Sequence, residues 1–265
     1  MISEKFHKAV SDFEKKAEYK VTRIIRNLKE KYAHLQMVYV PNVSPMGKVR
    51  NILVTMEPSF LWAESEADGE EKVRAGFRNF FFSVEDMILH FCAGKYLDGG
   101  YHITDVSKIA IPTKDAGEIR EEAWAKQKEL LVEELSLFGS DDCRIIPVGK
   151  TSPAGSGEWI ENNLKGHTTL KNTRFCEPVL HYSRTASKYR TKAAGANPDA
   201  TAAFKRFDLD WNQAEFIAKA TENMGRMENC ESVKNMLRDR LSTRLNNSCL
   251  NLVFTYKTAF DKVGA

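Results

Sequence analysis

The chain has no run of eighteen apolar residues, so the sequence offers no helical membrane span. Its start, Met1-Ile-Ser-Glu-Lys-Phe-His-Lys, has no apolar signal core, which points away from export. The five cysteines, Cys92, Cys143, Cys176, Cys230 and Cys249, are odd in number and widely spaced, with no Cys-x-x-Cys pair. That argues against a zinc or iron–sulfur framework and suits reduced thiols in a cytoplasm. Gly-x-Ser-x-Gly, a phosphate loop and clustered metal ligands are missing as well, which argues against an unrelated α/β hydrolase or nucleotide enzyme. No metal or cofactor is expected. There is no internal repeat and no low-complexity segment.

What is present is an ordinary globular composition over 265 residues, enough for one large domain with a sizeable core. The net charge of +3 conceals an asymmetry. Residues 1–50 carry eleven Lys and Arg against five Asp and Glu, residues 51–182 fourteen against twenty-two, and residues 183–265 fourteen against nine. An acidic centre with basic ends is the pattern of a catalytic domain with flanks that grip nucleic acid. Charge alone more often marks the solvated faces of surface helices.

Apolar positions Phe6, Val10, Phe13, Ala17, Val21, Ile24, Leu28, Tyr32 and Leu35 recur at helical spacing and predict one long helix, or two joined, over 3–35. Lys8, Lys15, Lys16, Arg23, Arg26 and Lys29 lie mostly off that stripe. Four strands are expected: at 51–56, from Tyr101 toward Pro112, at 144–150 with an unusual internal Pro147, and at 178–184. The segment 64–72 reads as a loop. A helix is expected to open at Gly76 and end near Gly94, and an amphipathic helix carrying Trp124, Leu130, Leu131, Leu135 and Leu137 spans 118–138. Residues 185–206 are small, polar and basic and read as a loop, and 207–264 as mostly helical. Strands alternating with helices predict a three-layer α/β/α fold around a central, mostly parallel four-stranded sheet. The expected division is a helical extension over 1–48, an α/β core over 49–206 and a C-terminal helical extension packed on the core over 207–265.

The stretch Asn51-Ile-Leu-Val-Thr-Met-Glu57-Pro58-Ser59 organises the rest. An apolar strand ends in a carboxylate, and Pro58, which has no N–H, takes the chain out of the sheet. Glu57 is thereby delivered to the carboxyl end of a strand, where open α/β sheets place their ligands. An isolated Glu-Pro pair is more often just a surface residue. Here Asp105 and His181 stand at the ends of two further strands, and two acids and a histidine at one crevice form a functional-site pattern.

In order and spacing these segments resemble the uracil-DNA glycosylase superfamily over roughly residues 50–185. Val54-Thr-Met-Glu57-Pro58-Ser59 resembles its first motif, Gly-x-acid-Pro, with Thr55 in place of glycine. His102-Ile-Thr-Asp105-Val-Ser-Lys108, followed by Pro112, resembles the thermophile-type segment Tyr-Ile-Thr-Asn-Val-Val-Lys. Arg144-Ile-Ile-Pro-Val-Gly149-Lys150 resembles the strand that closes with Leu-Gly. Leu180-His181-Tyr182-Ser183 resembles the final His-Pro-Ser, with Tyr182 for proline. Asn79-Phe80-Phe81 is similar to the Asn-Arg-Phe-Trp helix start of the mismatch-specific branch.

The resemblance implies a monofunctional DNA glycosylase that flips a nucleotide from double-stranded DNA and hydrolyses its N-glycosidic bond. Glu57 would stabilise the sugar cation and position a water, and His181 would donate to the departing base. Met56, Ser59, Asp105, Phe77 and Phe80 would form the base site, one of the two rings stacking on the base. Asp105 replaces the family's Asn, and an ionised carboxylate only accepts, which suits the amino group of cytosine. Ser59 replaces a Tyr that blocks 5-substituted pyrimidines. Together they imply a modified, 5-substituted cytosine, such as the glucosylated hydroxymethylcytosine of phage DNA that some superfamily members excise. Ser183, Arg184, Lys188, Arg190 and Lys192 would contact the DNA beside His181. Two alternatives stand beside this reading: a uracil or mismatch repair glycosylase, and a catalytically inactive nucleic-acid-binding protein on the same fold. Lys108 suits a structural ion pair better than a Schiff base.

Overall fold

A computed structural model describes residues 4–112, 117–150, 155–181, 198–227, 230–244 and 247–264. The architecture is a three-layer α/β/α sandwich around a four-stranded parallel sheet. Its strands, in chain order, are β2 (Val49–Thr55), β3 (Tyr101–Asp105), β5 (Gly139–Pro147) and β6 (Arg174–Phe175). They lie side by side as β3-β2-β5-β6. The first strand is therefore internal, and the chain builds outward from it first on one side and then on the other. The strand order reverses between β2 and β5, the kind of point at which open sheets leave a crevice beyond their carboxyl ends. A small antiparallel pair, β1 (Val38–Tyr39) with β4 (Ile109–Ala110), sits beside the main sheet.

Strand β2 is buried on both faces, as an internal parallel strand must be. Leu53 points to one layer, formed by α3 (Val84–Tyr96), α7 (Gln213–Met224), α8 (Glu231–Arg244) and α9 (Asn247–Gly264). Ile52 and Val54 point to the other, formed by α1 (Glu4–Lys31), α4 (Gly117–Phe138) and α5 (Gly157–Asn163). Helix α1 buries Phe13, Ala17, Val21 and Leu28, the middle of the expected stripe. It runs antiparallel to α4, with Lys16 on Glu133 at 2.6 Å and Lys31 on Glu122 at 3.3 Å.

Four readings differ from those expected from the sequence. Residues expected as an acidic loop contain α2 (Glu66–Arg74), capped by Ser65 and carrying acids in its first turn and bases in its last, which suits the helix dipole. Helix α3 begins at Val84 rather than Gly76, because Ser83 and Asp86 form a capping box there. It ends at Tyr96, two residues past Gly94 and so near the expected end. The fourth strand is β6, earlier than expected; within 178–181 a single parallel bridge, Val148 to Val179, extends the sheet. Part of the expected basic loop is also helical, since α6 spans Pro198–Asp210. Pro147 is tolerated because it ends β5: Val148 N–H resumes the ladder on Val54 at 2.8 Å.

Helix α4 meets the sheet through a polar seam. Glu134 Oε2 lies 2.9 Å from Lys108 Nζ, and Glu134 Oε1 lies 3.0 Å from His102 Nε2 and accepts from the Thr104 hydroxyl at 2.7 Å. One turn pair along, Gln127 accepts from the Lys108 N–H at 2.8 Å and donates to Ser107 at 2.7 Å. All these groups are buried. Lys108 thus forms the structural ion pair expected of it. Burial pushes the Glu134 carboxyl up, but Lys108 and His102 outweigh it and hold it at about 2. Its contribution to stability is therefore complete above the ordinary Glu range and is lost as pH falls toward 2.

Lys108→Met leaves Glu134 charged and unpaired in the interior, and urea unfolding at neutral pH is expected to show a loss of about 3–5 kcal/mol. Lys108→Met combined with Glu134→Leu is expected to recover much of that loss. A single-variant loss below about 1 kcal/mol would contradict a charged, paired Glu134.

Candidate functional site

The carboxyl ends of β2, β3 and β5 bring the site together. Parallel register places Thr55 opposite Asp105 and Val54 opposite both Thr104 and Pro147. Two residues past Thr55, after Met56, the chain leaves the sheet at Glu57 and Pro58. The Glu57 carboxylate does not stand alone. Arg120 Nε donates to its Oε1 at 2.6 Å, and Trp124 Nε1 donates to its Oε2 at 3.3 Å. The side chains of Glu57 and Arg120 are each only 12% exposed. Burial raises the Glu57 carboxyl, the Arg120 charge and the two hydrogen bonds pull it down, and the nearby Asp105 charge adds to the rise; the balance is about 7. A carboxylate that changes charge near neutrality is suited to general acid–base work.

His181 reaches the same edge through β5. Gly149 has φ +82°, a conformation that disfavours any side chain, and a Cβ there would lie 2.6 Å from Gly155 Cα and 3.1 Å from His181 Cβ. The two glycines let the segment after β5 fold back over the strand end, with His181 beside it. Ser156 fastens that crossing by donating to Val54 O at 2.5 Å. Glu57, just past β2, and His181, just past the bridge that extends the sheet on the β6 side, thus lie at the same carboxyl edge with the end of β5 between them.

The expected base-binding residues are placed differently. Asp105 is wholly buried, and both its oxygens are engaged: Oδ1 by the Thr55 hydroxyl and Oδ2 by Asn79 Nδ2 at 2.7 Å. Burial raises its carboxyl, and Lys108, Thr55 and Asn79 lower it, leaving it at about 6. It has no open face for a base. Met56 belongs to the core between sheet and α4. Phe77 is fully buried and stacked on Trp62, ring centroids 4.1 Å apart and planes at 21°, so its face is already covered. Phe80 is also buried, with φ +64°, rare for a bulky residue. Ser59 is exposed, its hydroxyl accepting from the Leu61 N–H at 3.2 Å. Ser183, Arg184, Lys188, Arg190 and Lys192 lie outside the described residues.

Arg120, Trp124 and Asn79 were not singled out as site residues by the sequence. The signal for the first two lay in the spacing of Arg120, Trp124, Gln127 and Glu134, a polar stripe on the face of α4 that a simple amphipathic reading assigns to the core. Asn79 is half-buried, braced by Asp105 and by its own N–H on Pro41 O at 2.9 Å.

A groove of about 390 Å³ lies elsewhere, on the solvent side of α1 between Lys15, Glu18, Tyr19, Thr22, Arg23 and Arg26. Lys16 and Lys29, two more of the basic residues off the α1 stripe, are paired with Glu133 and Glu66. The groove is lined by polar and charged side chains of α1 alone, whereas the sheet edge brings together groups from several elements, so the chemistry is assigned to the sheet edge. Among the described residues, no group of three or more His, Cys, Asp and Glu could hold a metal ion, and no helix is long and apolar enough to cross a membrane. No family model, curated protein or solved structure matches this chain.

The Glu57 environment can be read directly. Carbon-detected titration of labelled Glu57 is expected to give a midpoint near 7. Arg120→Gln removes the largest opposing charge and is expected to move it higher. An ordinary Glu midpoint in both proteins would mean that Glu57 is solvated.

Proposed function

We propose that this chain is a monofunctional DNA glycosylase acting on double-stranded DNA, with Glu57 and His181 as its catalytic residues. The observation that carries the reading is Glu57: a desolvated carboxylate at the carboxyl end of the first strand, where strand order reverses, with His181 at the same edge of the sheet beside Gly149 at the end of β5. The family-like segments supply the reaction class. The target nucleotide leaves the stack, since its glycosidic bond cannot be reached within it. The C1′–N bond breaks, and its electron pair departs with the base. The ionised Glu57 stabilises the positive charge developing on the sugar and accepts a proton from the water whose oxygen bonds to C1′. His181 donates a hydrogen bond to the base oxygen as negative charge grows there.

The base is proposed to be a 5-substituted cytosine, with its recognition relayed. Asp105 holds the Asn79 amide nitrogen, which leaves the Asn79 oxygen as the acceptor for an exocyclic amino group. The small, exposed Ser59 leaves room for a substituent at C5. A second reading, a nucleic-acid-binding protein without base release, is favoured by the closed positions of Asp105, Met56 and Phe77. Localisation in the cytoplasm and a role in defence against phage DNA accompany the first reading as proposals.

Duplexes carrying uracil, hypoxanthine, cytosine or glucosylated hydroxymethylcytosine, assayed for alkali-labile abasic sites, separate these readings. Release from the modified-cytosine duplex is expected, falling between about a hundredfold and ten-thousandfold in Glu57→Gln. Because Glu57 must be ionised, the rate is expected to climb as pH rises through about 7. Efficient release of uracil with none of modified cytosine would overturn the choice of base. DNA binding with no release from any duplex would favour the second reading.

A further inference from the structure

Glu57 presents an electrostatic difficulty for the proposed reaction, on which this inference rests. A nucleotide whose sugar lies against a carboxylate brings its own phosphates close to that negative charge. Arg120 is placed where it can relieve the repulsion. A guanidinium carries five N–H donors, and Arg120 uses its Nε on Glu57 at 2.6 Å. Its Nη1 and Nη2 have no protein acceptor among the described residues, nor are they enclosed without a partner. Other inward-turned arginines are engaged at their terminal nitrogens: Arg144 Nη1 binds Asp98 at 3.1 Å, and Arg240 Nη1 binds Phe82 O at 3.0 Å. At 12% exposure Arg120 is therefore a nearly buried cation whose fork remains accessible at the edge of the site.

We propose that Arg120 binds a phosphate of the target nucleotide through Nη1 and Nη2 while Nε keeps Glu57 in place. The planar fork matches two phosphate oxygens, as a lysine ammonium would not. The cation then sits between two anions, the carboxylate beneath the sugar and the phosphodiester beside it. Trp124 holds the other Glu57 oxygen at 3.3 Å, so the carboxylate is oriented at both oxygens while the fork binds phosphate. Arg120 becomes a binding residue for the substrate backbone and an orienting residue for Glu57.

The test replaces, one at a time, the phosphates flanking the target nucleotide by uncharged methylphosphonate. The duplex is whichever one wild type acts on, and the proteins are wild type, Arg120→Lys and Arg120→Gln, with folding of the variants checked by thermal unfolding. With wild type, one replacement is expected to weaken binding about tenfold or more. With Arg120→Gln the same replacement is expected to have little further effect, and the slope of log binding constant against log salt is expected to be shallower by about 0.9, one phosphate contact. Arg120→Lys is expected to keep the salt slope but lose part of the affinity. A role confined to holding Glu57 predicts the opposite pattern: a slower rate, with salt slope and methylphosphonate sensitivity unchanged, and that result would overturn the assignment. If wild type neither binds DNA nor releases a base, the glycosylase reading falls and this inference with it.

Discussion

The ion pair between Lys108 and Glu134 sets where α4 lies on the sheet. It is buried, so geometry must be good for the two charges to be tolerated, and the surrounding groups supply that geometry: His102 and Thr104 on β3, and Gln127 one face along the helix. A purely apolar contact would let α4 slide or rotate by a fraction of a turn. Directional polar contacts at Gln127 and Glu134 fix its register. Because Arg120 and Trp124 stand on the same stripe, that register also fixes the two donors that meet Glu57. The structural network and the candidate site are thus two ends of one seam.

The sheet edge shows the same economy with charge. The Asp105 charge raises the cost of ionising Glu57, as the Glu134 charge does for Asp105, and each of the two acids has been given compensating donors. For Asp105 those donors, Thr55 and Asn79, fill both oxygens and turn the residue inward. For Glu57 one donor is an arginine with nitrogens remaining, and the residue stays at the rim. The difference separates a brace from a reactive group, although both are acids at strand ends.

Much of this was legible in the sequence. The run Asn51–Thr55 followed by Glu57-Pro58 specified a buried strand with a carboxylate at its end, and the alternation of strands and helices specified the three layers. The stripe of Phe13, Ala17, Val21 and Leu28 specified α1. What was not legible depended on partners distant in the chain. Asp105 reads as a base-facing acid until Asn79, twenty-six residues earlier, is seen to cap it. Phe77 reads as a stacking platform until Trp62 is found on its face. Arg120 lies beyond the range of any local motif with Glu57, sixty-three residues away, and only the position of α4 joins them. Boundaries failed where a side chain overrode composition: Ser65 and Ser83 start helices in segments read as a loop or as helix interior.

The central claim is that Glu57 takes part in breaking a bond between sugar and base. Intact-mass spectrometry of a duplex carrying glucosylated hydroxymethylcytosine, before and after incubation with the protein, addresses it most directly. The account predicts a strand lighter by the modified base with a water oxygen gained at the sugar, the free base in solution, and both products formed at least about a hundredfold more slowly with Glu57→Gln. Unchanged strand mass under conditions in which the wild-type protein is bound to that duplex would contradict it.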